Sequence, residues 1–387
     1  MNSEVLTRSE CNALRGLAII GIFLHNYCHW LSPVVKENEY QYLQHNVDWF
    51  NQVTTSMDWL FPAHVVSFFG HYGVPIFLFL SAFGLERKYG GKAIGHGCVG
   101  AGGASGKIVN INGEALASSA NTVGGKFADA FAFMKHHSLK LFRMMIVGFV
   151  FFTIIDAMTP GAWHYTVKQI VGQLLMINNL YPEPDHNIWP GPFWFFGLML
   201  QFYVVYRLFL YRRHWAWTAG LVVVCTVVQL FLEPDGEALN RWRYNFMGGM
   251  LPFGLGLLFA RYGEKVMLVR MGFGSQLTCW LVTSLFVISA SKSFLTWVLV
   301  PALVCYAAVY FIKTVRLLPM PRLSSAIYGM LEWMGTISAA LFIVHPAIRK
   351  IFIPISRHGD VYAGLLLYVV ASIGVAWIIK KTKLLEG

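Results

Sequence analysis

Apolar runs long enough to cross a bilayer recur along the chain with short polar stretches between them. That pattern predicts helices rather than strands. The expected spans lie near residues 13–31, 63–85, 140–158, 192–211, 214–232, 244–260, 275–291, 294–312, 333–353 and 362–380. The segment 164–180 (HYTVKQIVGQLLMINNL) is weaker: Lys168, Gln169, Gln173 and two asparagines fit a re-entrant or interfacial piece better than a span. Residues 88–126 break the pattern with eleven glycines and a single aromatic, Tyr89, and read as a flexible loop. Within it, residues 108–116 could turn as a hairpin around Asn112-Gly113. Glycines beside Lys92 and Lys107 could cradle phosphate, but no Walker pattern is present.

Composition supports the same picture. The 387 residues are 56% apolar and 13% charged, whereas a soluble domain carries about 25% charged residues. The expectation is an all-α integral membrane protein. It forms a single unit over 1–387, a bundle of about ten transmembrane helices with no room for a separate soluble domain. The net charge of +11 would suggest nucleic acid in a soluble protein. Here the positive-inside rule explains it, and no nucleic-acid partner is expected. With ten spans, the segments on one side hold twenty Lys and Arg. The other side holds seven: Lys36, Arg241, Arg243, Lys292, Arg349, Lys350 and Arg357. This places both termini and the 88–126 loop in the cytoplasm. The six scattered cysteines show neither metal spacing nor a disulfide framework. The polar start MNSEVLTRSECNALRG is not that of a cleaved signal peptide, so the first span should be retained.

The candidate chemistry lies in ionisable residues inside apolar segments, which are costly there and mark function by default. Arg15 and His25 share the first span, ten residues and so about 15 Å apart along a helix. His25 suits a general base or nucleophile; a buried structural histidine is the plain alternative, as a snorkelling anchor is for Arg15. His29 lies one turn beyond His25 on the same face. The pair has metal-binding spacing, but no third ligand follows in that segment, and no metal or prosthetic group is expected. Ser81 reads as a packing residue and His71 is ambiguous. Lys140 and Arg143 enter the third span after His136-His137, as inner-face anchors or as an anion clamp. Gly335, Ser338 and His345 fall near one face of the ninth span, and His345 could approach His25. Loop 32–62 (Tyr40, Tyr42, Asp48, Trp49, Phe50, Asp58, Trp59) and loop 181–192 (YPEPDHNIWPGP) combine aromatics with carboxylates. That suits a sugar, or equally an interfacial aromatic belt.

Together these segments resemble the membrane acyltransferase-3 family. The likeness runs from LRGLAIIGIFLH through GVPIFLFLSAFGL, KLFR and FWFFGLMLQFY to MGTISAALFIVHP. It implies an enzyme that moves an acyl group, usually acetyl, from cytoplasmic acyl-CoA to a hydroxyl of a carbohydrate or cell-envelope glycan, in a bacterial cytoplasmic membrane. It assigns catalysis to His25 and Arg15, the CoA donor to Arg15, Lys140 and Arg143, and further family positions to Trp194, Gly335, Ser338 and His345; with His29 and His71, read from the sequence itself, Trp194, Ser338 and His345 are the expected substrate contacts. Acyl-CoA, the glycan acceptor and the lipid bilayer are the implied partners. The chain departs from the family pattern in Ser81-Ala82-Phe83, where a glycine is usual, and in Lys140, which lacks the bidentate geometry of arginine. Its 88–126 insert is longer than expected. Any extracytoplasmic esterase-like partner would be a separate protein. The rival reading is a non-enzymatic transporter of a small anionic or sugar-like solute, which would favour pseudo-repeated halves that the sequence does not show. A haem-binding electron carrier would need axial histidines on facing helices.

Overall fold

The computed structural model describes residues 5–90, 123–266, 271–382 and 384–385; among these it is helical throughout, with no β-strand. The helices of the first half are α1 (Arg8–Cys28), α2 (Gln44–Ser56), α3 (Phe61–Phe69), α4 (Gly73–Tyr89), α5 (Val123–Met158), α6 (Val167–Leu174), α7 (Pro184–Asn187) and α8 (Trp194–Val205). The second half contributes α9 (Trp215–Gln229), α10 (Glu237–Tyr244), α11 (Phe246–Val266), α12 (Phe273–Ala290), α13 (Phe294–Trp297), α14 (Val300–Arg316), α15 (Pro321–Arg357) and α16 (Val361–Lys381).

Of the ten expected spans, six are long and apolar enough to cross a membrane: Phe61–Tyr89, Ala128–Met158, Gly191–Leu210, Phe273–Ala290, Pro321–Arg357 and Val361–Lys381. The other four are helical over α1, α9, α11 and α14. Two of them, α9 and α14, are shorter, at 15 and 17 residues, whereas α1 is less apolar for a physical reason. It is the central helix, packed against α3, α4, α14 and α15, so its polar residues meet protein rather than lipid. By contrast α12 turns Leu281, Val282, Leu285, Phe286 and Ile288 outward. The weak segment 164–180 is not a span; it forms the short α6 and a single 3₁₀ turn, Asn178–Leu180. The expected span 294–312 is broken into α13 and α14, with Pro301 in the first turn of the latter. Most of the glycine-rich stretch, including the hairpin at 108–116, lies outside the described residues. Its last residues, from Val123, already belong to α5.

Close helix approach and buried ion pairs fix α1 in place. A Cβ on Gly16 would lie 1.8 Å from the Leu331 carbonyl oxygen, and one on Gly335 would lie 1.9 Å from that of Asn12. Only glycine lets the α1 and α15 backbones touch in this way. At the start of α1, Thr7 and Glu10 form a reciprocal capping box. The fully buried Glu10 carboxylate also accepts from Lys313 Nζ (2.8 Å) and Arg316 Nη1 (3.0 Å) of α14. Glu86 of α4 likewise pairs with Arg261 of α11 at 2.8 Å. These pairs answer charges that would be prohibitive alone.

Candidate active site

His25 lies in the last turn of α1 and is buried. The helix break between α3 and α4 lies beside it. A Cβ on Gly70 would fall 2.6 Å from the Gly21 carbonyl oxygen and 2.7 Å from the His25 Cβ, so the chain approaches α1 closely there. His25 Nδ1 is 2.8 Å from the Ser67 carbonyl oxygen. A carbonyl only accepts, so Nδ1 carries the proton and Nε2 is left as the basic nitrogen.

The loop after α1 brings a carboxylate beside Nε2. Glu37 Oε1 stands 3.9 Å from it, and both Glu37 oxygens accept from His29 Nδ1, at 3.1 and 3.2 Å. The loop backbone is held by side chains from several elements. The Val35 amide donates to His64 Nδ1 (3.1 Å), and Ser67 Oγ donates to the Val35 carbonyl (2.6 Å). Asn46 donates to the Glu37 carbonyl (3.0 Å), Trp297 to that of Asn38 (2.9 Å), and Arg243 to that of Glu39 (2.6 Å). Non-helical backbone this deep in a bundle is tolerated when its polar groups are satisfied by protein.

His25, His29, Glu37 and Glu39 share one cavity of about 320 Å³. Its aromatic wall is Trp30, Tyr40, Trp189, Trp194 and Tyr244. Tyr40 stacks on Tyr244 with ring centroids 3.8 Å apart, and Trp194 meets Tyr40 edge-on at 5.3 Å. Asn179 fixes this wall by donating to the carbonyls of Trp194 (2.9 Å) and Tyr244 (2.7 Å). Asp185 and Arg349 complete the charged lining.

The two loop carboxylates differ in charge. Burial would raise the Glu37 pKa, but His29 and then His25 outweigh it and hold Glu37 well below the usual range, so it is ionised. Glu39 is pushed up to about 8, by burial first and by Glu37 second, with Arg243 pulling the other way. It is therefore mainly protonated at neutral pH. In the unfolded chain Glu39 loses its proton near 4.5, so between that value and about 8 the folded protein holds the extra proton. That contribution to stability is lost as pH rises through about 8. The melting temperature should fall between pH 6 and 9, and the fall should be smaller in Glu39→Gln; equal falls would remove the assignment.

His25, His29 and Glu37 also present ligand atoms within 4.8 Å of one another, close enough to hold a cation. The direct His29–Glu37 hydrogen bond satisfies those two groups without an ion.

The chain matches the family model described as an acyltransferase domain, of the acyltransferase-3 type, over residues 8–381. It belongs to the acyltransferase-3 family. No curated protein and no solved structure matches it. As a member of this family it is a membrane acyltransferase.

Four of the candidate residues read from the sequence, His25, His29, His71 and Trp194, line the cavity. The His71 ring lies 5.6 Å from that of His25 and, among the described residues, neither of its nitrogens has a hydrogen-bond partner. The others do not line it. Ser338 Oγ donates to Gly335 O of its own helix (2.8 Å), and His345 Nδ1 to Leu341 O (3.1 Å). Arg15 Nη1 bonds Asn12 Oδ1 (2.9 Å) in the first half of α1. Lys140 and Arg143 are exposed on α5. Of the loop aromatics, Tyr40 reaches the cavity, whereas Tyr42 and Phe50 pack in a separate apolar cluster with Trp297 and Leu239. Sequence reasoning passed over Glu37, Glu39, Tyr244 and Arg349. The signal for the first two was available: two carboxylates shortly after His25, in a loop already rich in aromatics.

Proposed function

We propose that the protein is an O-acyltransferase that moves an acyl group, acetyl in the simplest case, from acyl-CoA to a hydroxyl of a carbohydrate acceptor of the cell envelope. The observation that carries this reading is His25. Its Nδ1–H is fixed by Ser67, and its open Nε2 lies beside the ionised Glu37 at an aromatic-lined cavity. Aromatic faces stack on the apolar faces of sugar rings, and the carboxylates accept from sugar hydroxyls.

In the proposed reaction, His25 Nε2 takes the acceptor hydroxyl proton while that oxygen bonds to the thioester carbonyl carbon. The tetrahedral intermediate then breaks its C–S bond, and the imidazolium returns the proton to the departing CoA thiolate. Glu37 faces the imidazolium while it exists. The chain would lie in a bacterial cytoplasmic membrane with its termini inside. Acyl-CoA would enter from the Arg15 end of α1, and the acceptor from the end that carries the aromatic wall.

The experiment is thiol release by the purified full-length protein, given acetyl-CoA with and without a membrane-derived glycan extract. Extract-dependent release supports the reading, and its absence with a range of acyl-CoA donors removes it. If Arg15, Lys140 and Arg143 guide the donor, alanine at each should raise the donor KM several-fold and leave the acceptor KM little changed, since charge-assisted bonds to phosphate are strong. A rise confined to the acceptor KM would remove the donor clamp.

A further inference from the structure

Arg349 is a buried cation in the wall of this cavity with no carboxylate on it. Its side chain belongs to α15, one turn beyond His345, and the residue is 4% exposed. Its one hydrogen bond among the described residues runs from Nη1 to the Asn26 carbonyl at 3.1 Å, and the guanidinium sits 4.8 Å from the Trp30 ring centroid. A guanidinium has five N–H donors. No Asp or Glu among the described residues pairs with it, whereas the next residue, Lys350, pairs with Asp156. Burying a cation without an anion is costly, which points to an anion that arrives with the substrate or forms from it.

The place of this charge decides between the two. Asn26, which holds the guanidinium, is the residue after His25, and Arg349 and His25 line the same cavity from helices locked together at Gly16 and Gly335. The Glu37 carboxylate lies by His25 Nε2 and is bonded to His29. Acyl transfer with His25 as base creates two charges at once, a cation on the imidazole and an anion on the former carbonyl oxygen. Glu37 stands beside the nitrogen that becomes the cation, and Arg349 is the guanidinium that the cavity presents to the anion.

We propose that Arg349 binds and stabilises the oxyanion that develops on the acyl carbonyl oxygen during transfer. This rests on the acyl-transfer reading above. The acceptor oxygen bonds to the carbonyl carbon, and the C=O electron pair moves onto oxygen and is held by the guanidinium. When the pair returns, the C–S bond breaks and the thiolate leaves with the proton from His25.

The test uses purified full-length protein with acetyl-CoA as donor and the glycan extract as acceptor, its KM expressed as mass concentration. Wild-type thiol release is measured first; if there is none, the acyl-transfer reading fails before Arg349 is tested. Given wild-type activity, Arg349→Gln should lower kcat about 10²–10³-fold with both KM values within about threefold, as for loss of an oxyanion donor. Arg349→Lys keeps the charge but not the fork and should lose roughly tenfold in kcat. If Arg349→Gln does not fold, as judged by its melting curve, Arg349→Lys alone decides. Near-wild-type kcat in the folded variants overturns the proposal. So does a loss confined to the acceptor KM, which would make Arg349 an anchor for an anionic acceptor.

Discussion

Replacing His25 with alanine should lower kcat by at least about 10³-fold while the protein still inserts and folds. General-base catalysis contributes about 10²–10⁴-fold, and no other histidine in the cavity is held in the same way. His29 spends its Nδ1 proton on Glu37, and neither nitrogen of His71 has a partner to set its tautomer. Alanine keeps the Cβ that fits against Gly70, so the close approach of the helix break to α1 survives. The Ser67 carbonyl loses its donor, at a cost of about 1–3 kcal/mol of stability, which a bundle tied by the Glu10 and Glu86 ion pairs should tolerate. His25→Gln is the companion variant, because a glutamine side chain can still donate toward Ser67 yet cannot act as a base. The measurement is thiol release by each variant at saturating acetyl-CoA, with size exclusion and melting curves as folding controls. A folded His25→Ala protein that keeps more than a tenth of wild-type kcat would remove the catalytic assignment.

What the sequence made legible lies mostly on single helices. His25 and His29 stand one turn apart on an apolar helix, so their shared face could be read from spacing alone. The ten apolar runs likewise appear as helices near their expected positions. What was not legible depends on contacts between distant segments. Arg349 counted only as one of seven basic residues on the outer side, because nothing in its neighbourhood along the chain reveals that α15 lies against α1 and carries the guanidinium to the cavity wall. Glu37 gains its role from a loop whose shape is set by His64, Asn46, Trp297 and Arg243, side chains from four separate elements. The periodicity that grouped Gly335, Ser338 and His345 correctly found a face that meets α1, since Gly335 touches Asn12. It could not show that Ser338 Oγ and His345 Nδ1 bond to carbonyls of their own helix. The polar residues of α1 are tolerated because a helix enclosed by protein accommodates charges that a lipid-facing helix cannot.

Glu37→Gln should lower kcat about 10²-fold, close to 2.7 kcal/mol of transition-state stabilisation, and leave both KM values within about threefold. The carboxylate does not set the His25 tautomer; the Ser67 carbonyl does. The loss should therefore be smaller than in catalytic triads, where removing the orienting acid leaves the wrong tautomer and costs about 10⁴-fold. What Glu37→Gln removes is the negative charge 3.9 Å from Nε2, which counts only while the imidazole carries the acceptor's proton. Its effect should fall on kcat for that reason. The loop should keep its shape, because the bonds from His64, Asn46, Trp297 and Arg243 go to its backbone rather than to the carboxylate. Glutamine can still accept from His29, and the melting temperature should move little. Glu37→Ala, which also frees His29, should lose more activity than Glu37→Gln. A chelator arm separates this account from a cation held by His25, His29 and Glu37: wild-type protein incubated with EDTA and desalted should keep its rate. If chelation reproduces the Glu37→Gln loss and added zinc restores the rate, the three groups hold a metal and His25 is not the base. If a folded Glu37→Gln protein turns over within threefold of wild type, the carboxylate has no part in the chemical step.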